Sequence, residues 1–368
     1  MRSRLSTSFT LAGILAACGG PHSETGFSSG VPTNATATAA ESESSSGSSS
    51  SSESPADGSA SSSTAASETS STPDDGTSSM DIPDFGPTDP PGCEGRIDFL
   101  FVISAQSTMK DQQKQLIAAF PGFIGAIEEQ LPDFDVHILV ADTSAVFQIS
   151  DCSVCSEDCD PQGSPPLCGA ELEPCDKGKI GAGITFPAGE EASNRRCELA
   201  SGQRYITTGP NMTDEFACIA RVGLEGGGAA GQAMVAALEP AINNPDDEDA
   251  CNRGFLREDA LLVVTIIMDN YDQFSLGTVE EWIESLRAAK GYDDDAFMVL
   301  VLTTDVDIGF DQICHPEEWN QTKNRLRLLA EGVEHGFIDS ICRDDYTPFF
   351  AEHVAHLVDL CDDLVPPG

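Results

Sequence analysis

The sequence predicts an α/β domain with a doubly wound, mostly parallel central sheet and helices on both faces. Three observations lead to this prediction. An apolar run, Ile97–Ile103, stops abruptly at small polar residues and gives way to a helical pattern, which is typical of the first strand of a parallel sheet. The most apolar run in the chain lies within Asp259–Met268 and is typical of a central strand. Strand and helix patterns alternate along the rest of the domain.

The elements of the first half follow from local periodicity. Lys110–Gln130 carries apolar residues at spacings of three and four, which predicts an amphipathic helix. Asp135–Ala141 is predicted as the second strand, and Arg204–Thr207 as a short strand. Thr213–Val222 is predicted as a short helix whose first threonine serves as its cap.

The second half continues the alternation. A glycine-rich loop, Gly223–Gly231, leads into a predicted helix at Gln232–Leu238. Further helices are predicted at Thr278–Lys290, Asn324–Glu331 and Tyr346–Leu360, and further strands at Ala296–Leu302 and Gly336–Ile341. Ligands of open α/β sheets bind outside the carboxyl ends of the strands. We therefore look for function first at Ser104–Thr108, directly after the first strand.

Residues 144–203 interrupt this pattern. The stretch has no periodicity and is rich in Cys, Gly and Pro, so we predict a disulfide-rich insertion. Six cysteines lie within it: Cys152, Cys155, Cys159, Cys168, Cys175 and Cys197. We expect them to be cross-linked among themselves; zinc binding by the first three is the alternative. Outside the insertion we predict the pairs Cys342–Cys361 and Cys218–Cys251, although connectivity cannot be deduced from a sequence.

The amino terminus, residues 1–17, has the features of an export signal. A basic flank precedes a short apolar core and small residues. Leu15–Cys18 resembles the bacterial lipobox, which implies cleavage before Cys18 and lipidation of its sulfur. An ordinary signal peptide with an incidental cysteine is the alternative. Gly19, rather than aspartate, after Cys18 is typical of sorting to the outer membrane.

Residues 18–90 are dominated by Ser, Thr, Ala, Gly and acidic side chains and contain no Lys or Arg. Such a segment buries too little apolar surface to offset the entropy of ordering, so we predict a disordered tether between the lipid anchor and a folded domain at 91–368. The formal net charge of the whole chain is −42. This charge makes nucleic acid a poor partner.

Five stretches of the predicted domain carry a resemblance to a known family. They are IDFLFVISAQSTM, LPDFDVHILVADT, GLEGGGAAGQAM, CNRGFLREDALLVVTIIMDNYD and SICRDDYTPFFAEHV. Together they cover roughly Ile97–Cys361, interrupted by the insertion. This region resembles the von Willebrand factor A domains found on bacterial surface lipoproteins, especially those of myxobacteria. The resemblance implies a binding or adhesion module.

The resemblance also implies a site for a divalent cation. In that family the ion is held by an Asp-x-Ser-x-Ser turn after the first strand, a loop threonine, and an aspartate after the central strand. The corresponding residues here are Ser104, Gln106, Thr108 and, after the central strand, Asp269. Only Asp269 keeps the family's residue, while Thr108 is a chemical equivalent.

The departures from the family pattern weaken the expected site. The loop threonine falls near Gly228 or Ala229, neither of which has a side-chain oxygen. We therefore expect only weak binding of Mg²⁺ or another divalent cation. Glu225 and Asp272 are close enough in sequence to replace the lost carboxylate. A solvated or capping acid is the simpler interpretation of Asp269.

Motifs for catalysis are weaker still. The sequence has no Gly-x-Ser-x-Gly, no His-Glu-x-x-His and no phosphate loop with a lysine. His353 and His356 could share a metal, although such pairs are more often packing residues. The acidic runs Asp246–Asp249 and Asp293–Asp295 could bind Ca²⁺ weakly, although charge runs in loops are usually solvated.

Together these features predict a non-enzymatic, exported lipoprotein of the cell envelope. We expect its domain to bind a protein ligand at the carboxyl ends of the strands, around Ser104–Thr108, Glu225–Ala230 and Asp269–Ser275, with membrane contact through the lipid. Two alternatives stay open. One is a metal-free structural scaffold of the envelope, and the other is an envelope hydrolase with its centre in the insertion.

Overall fold

Six strands form one mixed sheet in the computed structural model, which describes residues 95–131, 134–144, 172–178, 180–308, 313–314 and 323–363. The strands are β1 (Arg96–Ile103), β2 (Asp135–Asp142), β3 (Ile206–Thr207), β4 (Leu261–Met268), β5 (Phe297–Thr303) and β6 (Gly336–Ser340). Their order across the sheet is β3-β2-β1-β4-β5-β6. All neighbours are parallel except β3, which pairs with β2 in the antiparallel direction. The predicted doubly wound α/β fold is therefore confirmed.

Helices cover both faces of the sheet. They are α1 (Lys110–Gln130), α2 (Pro174–Lys177), α3 (Met212–Ile219), α4 (Ala230–Leu238), α5 (Pro240–Asn243), α6 (Val279–Ala289), α7 (Arg325–Glu331) and α8 (Thr347–Asp363). Alternate side chains of β1 point to opposite faces, as the pleat of a strand requires. Phe99 and Phe101 pack with α1, α3 and α8, whereas Leu100 and Val102 pack with α4, α6 and α7.

The first of these cores is built from aromatic rings. Phe120 of α1 stacks on Phe216 of α3 with their centroids 3.6 Å apart, and Phe101 of β1 meets Phe216 edge-on at 5.0 Å. Phe123 contacts Phe99 at 5.3 Å and Phe350 of α8 at 5.2 Å. Burying one phenylalanine side chain stabilises a fold by roughly 1.5–3 kcal/mol. This cluster therefore fixes the positions of α1, α3 and α8 against β1.

Helix boundaries follow the local signals in most places and depart from them in one. Thr278 caps α6 through a reciprocal capping box with Glu281, as its position before the apolar pattern indicates. The prediction that Thr213 caps α3 is wrong. The helix begins at Met212, and its cap residue, Asn211, makes no side-chain capping bond. Packing of Met212 and Phe216 into the core sets this helix start instead.

The predicted disulfide pairings are wrong. Cys175 is bonded to Cys251, Cys197 to Cys218, and Cys314 to Cys342. Cys361 is also disulfide-bonded. The described part of the insertion is therefore cross-linked to the body of the domain and not only to itself. Its two described cysteines are anchored to the segment between α5 and β4 and to α3, because folding brings those parts of the chain beside it.

Several predictions fall on residues outside the described ranges. They are the export signal, lipidation of Cys18, the tether, and the roles of Cys152, Cys155, Cys159 and Cys168. The described residues all belong to one unit of the chain, Met80–Gly368. Among these residues, no helix combines the length and the apolarity that a membrane span requires.

Candidate functional site at the carboxyl ends of the strands

The topological switch point of the sheet lies between β1 and β4. The chain runs from β1 outward to β2 on one side, while β4, β5 and β6 continue on the other. The loops that follow β1 and β4 therefore diverge and leave a crevice at the carboxyl ends, which is the usual ligand position in such sheets. Ser104–Thr108 and the segment from Asp269 border this crevice.

Hydrogen bonds to backbone groups, from the main chain and from one glutamine side chain, hold the turn after β1. The N–H of Ser104 donates to the carbonyl of Ile267 at 3.0 Å, which continues the pairing with β4 beyond the strand. The buried side chain of Gln113 then donates to the carbonyl of Ser104 at 3.0 Å and to that of Gly223 at 2.9 Å. One glutamine of α1 thereby locks both the turn and the start of the glycine-rich loop.

Three of the four predicted metal ligands meet partners across the crevice. The side-chain amide of Asn270 donates to the side-chain oxygen of Gln106. The hydroxyl of Thr108 is hydrogen-bonded to the carboxylate of Asp269. Burial raises the pKa of Asp269, and the bond from Thr108 opposes that rise. The crevice is therefore bridged by two side-chain pairs that join the loops after β1 and β4.

Ser104, the fourth predicted ligand, faces inward. It is fully buried, and its hydroxyl oxygen accepts a hydrogen bond from the N–H of Gln106 at 3.3 Å. The serine thus stabilises its own turn. It offers no exposed oxygen to a ligand in the crevice.

The glycine-rich loop closes the crevice with its backbone. Gly226 donates to the carbonyl of Ala105 at 2.7 Å, and Gly227 donates to the hydroxyl of Ser144 at 2.9 Å. A Cβ atom on Gly228 would lie 2.7 Å from the side-chain amide of Gln106. Gln106 would have to move to admit a side chain at Gly228, whereas a Cβ atom on Gly227 would lie 2.9 Å from the carbonyl oxygen of Thr143, so glycine is required there.

Sequence reasoning missed three polar residues of this site. Thr143 donates its hydroxyl to the carbonyl of Gly227 and lies 3.4 Å from the N–H of Ala105. Asp142 accepts a hydrogen bond from the N–H of Ser144 at 2.6 Å. All three are buried at the end of β2. The signal was present in the sequence, since a polar triplet directly follows a buried strand beside β1.

The two proposed substitute carboxylates serve different roles. Asp272 is fully buried and accepts hydrogen bonds from the N–H of Gly231 at 2.7 Å and the hydroxyl of Ser275 at 2.7 Å. It therefore lies at the amino end of α4, where a carboxylate is favoured by the unpaired N–H groups. Glu225 is exposed on the glycine-rich loop.

These residues do not fit the divalent cation that the resemblance implies. A hard cation such as Mg²⁺ needs several oxygen ligands with net negative charge. Among the four predicted ligands, Asp269 is the one carboxylate, and its oxygen partner Thr108 is already bonded to it. Gln106 is bonded to Asn270, and Ser104 to its own turn. Each candidate ligand thus has a protein partner that the ion would have to displace.

Four large apolar side chains are exposed in the segments that follow β4 and β5. Phe274 is 58% exposed and Leu276 71% in the loop after β4, while Ile308 is 45% and Ile313 44% exposed in the segment after β5. These loops follow neighbouring parallel strands, so their starts lie at the same edge of the sheet. We call these four side chains the apolar rim.

The loop after β4 is clamped by the amino end of α7. The guanidinium of Arg325 donates to the carbonyls of Asp272 and Ser275, both at 3.0 Å. It also lies 4.1 Å from the ring centroid of Trp282, a cation–π geometry. Arg325 therefore holds the backbone of the segment that carries Phe274 and Leu276, although both of these side chains are exposed.

The segment after β5 is tied to the same helix end. Asn324 donates to the Thr303 hydroxyl at 2.9 Å and to the Thr304 carbonyl at 3.1 Å. Buried Asp305 accepts from the N–H groups of Ile313 and Cys314 at 2.6 and 2.8 Å. The N–H of Ile308 donates to the carbonyl of Asp305 at 3.1 Å. These bonds and the Cys314–Cys342 disulfide hold the backbone at both isoleucines of the apolar rim.

The two histidines that were predicted to be able to share a metal, His353 and His356, have different partners. His353 is buried, its Nδ1 lies 2.6 Å from the Phe349 carbonyl, and its ring packs on Phe337 with centroids 4.2 Å apart. His356 lies beside His335, with Nε2 3.4 Å from the Nδ1 of that residue. Packing is therefore the role of His353.

The described part of the insertion borders a cavity of about 480 Å³. Its lining is Arg195, Arg196, Cys197, Glu198, Asn211, Asp214, Glu215 and Cys218. Cys197 and Cys218 form a disulfide with each other. This lining contains neither a free hydroxyl nucleophile nor an imidazole, so its described residues form no nucleophile–base pair for hydrolysis.

Comparisons with known proteins add little. No protein-family model matches the chain, and no curated protein matches it. Among solved structures, the chain is similar to proximal thread matrix protein 1 from the mussel byssus, with 13% sequence identity and a TM-score of 0.33. The similarity covers 74% of this chain and 47% of that one, so this chain spans about half the length of the mussel protein. A likeness at this level carries no argument about fold or function.

Proposed function

We propose that this chain is a non-enzymatic binding module of the cell envelope, which recognises a protein ligand with the apolar rim and the crevice beside it. The proposal includes the export signal, the lipid anchor at Cys18 and the tether inferred from sequence. These segments would hold the domain away from the membrane and present it to partners. The resemblance of the sequence to surface-displayed A-type domains supports the same role.

The observation that carries the proposal is the position of the exposed apolar side chains. Among the described residues, five large apolar side chains are exposed, and four of them form the apolar rim. Contiguous exposed apolar patches mark interaction surfaces, and the loops that carry these four side chains start at one edge of the sheet. Aromatic and aliphatic anchors also supply most of the affinity at protein interfaces.

The rigid support of the rim favours binding. Arg325 and Asn324 hold the backbone of both loops, and a disulfide holds the second. Ordering loops on association costs free energy, so loops that are already ordered bind with a smaller penalty. The apolar rim is therefore suited to a partner that docks as a preformed surface.

The side-chain pairs across the crevice indicate that recognition does not depend on a cation. Gln106 with Asn270, and Thr108 with Asp269, occupy the position at which the resemblance implies an ion. A ligand would meet a hydrogen-bonded floor beside the loops that carry the apolar rim. Such a floor fits an apolar protein surface better than a ligand carboxylate that completes a metal coordination sphere.

The experiment compares adhesion by variants of the full chain. Beads that carry the wild-type protein, the double variant Phe274→Ser with Leu276→Ser, or the control Tyr292→Ser are allowed to adhere to cells of the same bacterium. Tyr292 is 65% exposed and lies before β5, at the amino ends of the strands. We expect the double variant to lose at least about tenfold in retention, since interface anchors typically contribute more than 1 kcal/mol each.

Three outcomes decide the proposal. Retention by the control equal to wild type, unchanged by a chelator, together with loss in the double variant, would support it. Equal retention by all three proteins would contradict the assignment of the rim. Chelator-sensitive retention that Asp269→Ala abolishes would contradict the metal-independent mechanism and favour the site that the resemblance implies.

A further inference from the structure

A second cluster of ligand-type side chains lies at the opposite end of the sheet, at the amino ends of β5 and β6. It consists of Asp295, Glu334 and His335, with His356 of α8 beside it. One ligand atom from each of the first three residues lies within 4.8 Å of the others. This cluster takes no part in the proposed binding face, and no local sequence motif groups these residues.

The fold fixes the positions of two of these residues. The carbonyl of His335 accepts a hydrogen bond from the N–H of Val299 at 2.9 Å, so the histidine extends β6 along β5. Asp295 lies in the short 3-10 turn Asp294–Ala296 that leads directly into β5. Because β5 and β6 are parallel, the residues that precede them meet at one edge.

The distances suit a shared metal ion. The Nε2 of His335 lies 3.0 Å from an oxygen of Asp295. Ligand bonds to zinc are about 2.0–2.2 Å long, which separates adjacent ligand atoms by roughly 3–3.5 Å. An ion could therefore enter between the imidazole and the carboxylate with little movement. The side chain of Asp295 is 58% exposed and that of His335 14%, so the ion has a path from solvent and a partly buried ligand.

The second nitrogen of His335 has the partner that metal-bound histidines usually have. Its Nδ1 lies 3.4 Å from the Nε2 of His356. When Nε2 of a histidine binds a metal, the Nδ1–H typically donates to a neighbouring acceptor, which fixes the tautomer and the orientation of the ring. His356 is placed to accept this hydrogen bond and would act as a positioning residue.

We propose that Asp295, Glu334 and His335 form a binding site for a divalent transition metal of the Zn²⁺ class, with His356 orienting His335. One imidazole and two carboxylates suit such ions better than Mg²⁺ or Ca²⁺, which prefer oxygen ligands alone. The ion would join the start of β5 to the edge strand β6. The high negative charge of the chain favours the approach of a cation.

The test is calorimetric titration of Zn²⁺ into the full chain and its variants. We compare Glu334→Gln with the control Glu331→Gln, because both remove one exposed carboxylate from neighbouring positions. We expect Glu334→Gln to weaken Zn²⁺ binding at least tenfold and Glu331→Gln to leave it unchanged. His335→Gln should weaken it at least 100-fold, while the variants should not differ in their response to Mg²⁺.

Identical Zn²⁺ affinity in Glu334→Gln and Glu331→Gln, or in folded His335→Gln and wild type, would overturn the site. Glu334 is exposed, so its variant remains informative even if His335→Gln unfolds. The role of His356 is tested by pairing His356→Leu with His356→Gln, whose amide oxygen can still accept the hydrogen bond. We expect a 10- to 100-fold loss for leucine and recovery for glutamine; equal losses would overturn the positioning role.

Discussion

The two ends of the sheet near β1 are built from opposite chemistry. At the amino end, Asp98 is fully buried and accepts hydrogen bonds from the backbone N–H of Arg257 at 2.7 Å and from its guanidinium at 2.8 Å. At the carboxyl end, the loops are joined by the Gln106–Asn270 amide pair and by the Thr108–Asp269 bond. A buried carboxylate–guanidinium pair thus supports the amino end, whereas the carboxyl end is held by side-chain pairs and by buried carboxylates, Asp142 and Asp272, that accept hydrogen bonds from N–H and hydroxyl groups.

A buried lysine completes the amino end. The Nζ of Lys290 donates to the carbonyls of Arg257 at 2.9 Å and Glu258 at 3.1 Å, and also to that of Ala260. Burial lowers the pKa of Lys290 to about 8. Burial likewise raises the pKa of Asp98 to about 6, although Arg257 opposes this rise. Both shifts record the cost of removing charge from water.

This difference assigns stability to the amino end of the sheet and the proposed recognition to its carboxyl end. Removing one partner of a buried ion pair strongly destabilises the fold, because the remaining charge is buried without compensation. The neutral amide pair Gln106–Asn270 at the partly exposed crevice contributes little and can change at small cost. The carboxyl end is therefore free to carry the exposed side chains of a binding surface, while the amino end holds the strands together.

The largest expected effect is that of removing the arginine at the amino end. Arg257→Ala leaves the carboxylate of Asp98 buried without its partner, which should lower the free energy of unfolding by about 3–5 kcal/mol at neutral pH. The measurement is urea unfolding of the full chain. Arg287→Ala is the control, since Arg287 pairs with Asp294 at the surface and should contribute less than about 1 kcal/mol. Similar losses in both variants would contradict the contrast.

The pH dependence of stability should show the raised pKa of Asp98. Between the ordinary value of 3.8 and about 6, the unfolded chain has lost this proton while the folded protein still holds it. Stability therefore falls as pH rises through this window, by about 3 kcal/mol relative to Asp98→Asn, which cannot titrate. Unfolding measured from pH 4 to 7 tests this. Asp135→Asn, at the exposed partner of Arg257, should follow the wild-type curve; a constant difference between wild type and Asp98→Asn would refute the assignment.

A smaller effect is expected at the carboxyl end. Gln106→Ala removes the amide that bonds Asn270 and covers Gly228. Because Asn270 can rebind water at this partly exposed position, the loss should be about 0.5–1.5 kcal/mol. Urea unfolding again gives the value. A loss as large as that of Arg257→Ala would show that the crevice is a structural element and not a surface free to vary.

The smallest effect on stability is expected from the apolar rim. Phe274→Ser with Leu276→Ser should change the free energy of unfolding by less than about 0.5 kcal/mol, because both side chains are mostly exposed. The same double variant is expected to reduce adhesion strongly. Thermal unfolding beside the adhesion assay separates the two quantities, and a large loss of stability would assign the rim to the fold.

Local sequence patterns were sufficient for the sheet and most helices. Buried runs such as Ile97–Ile103 have no polar residue except Asp98, so only a strand covered on both faces can hold them. The amphipathic pattern of α6 and its capping box were equally local. The start of α3 was missed because core packing of Phe216, and not a cap, determines it.

The position of the candidate site could be predicted from the sequence, but the pairing of its side chains could not. Residues after β1 and β4 had to meet, because parallel strands bring their carboxyl ends together. Whether their side chains face outward to a ligand or pair with each other depends on geometry across the crevice. The bond from Asn270 to Gln106 joins residues separated by 164 positions, and no local signal indicates it.

What the sequence by itself determined is the set of elements, because burial on one or both faces imposes a period on neighbouring residues. Only the tertiary structure decided which distant residues become partners. Cys175 pairs with Cys251 across 76 positions, and Asp98 meets Arg257 across 159. Such contacts depend on how completed elements pack against one another, and that packing is not recorded in the order of residues along any one element.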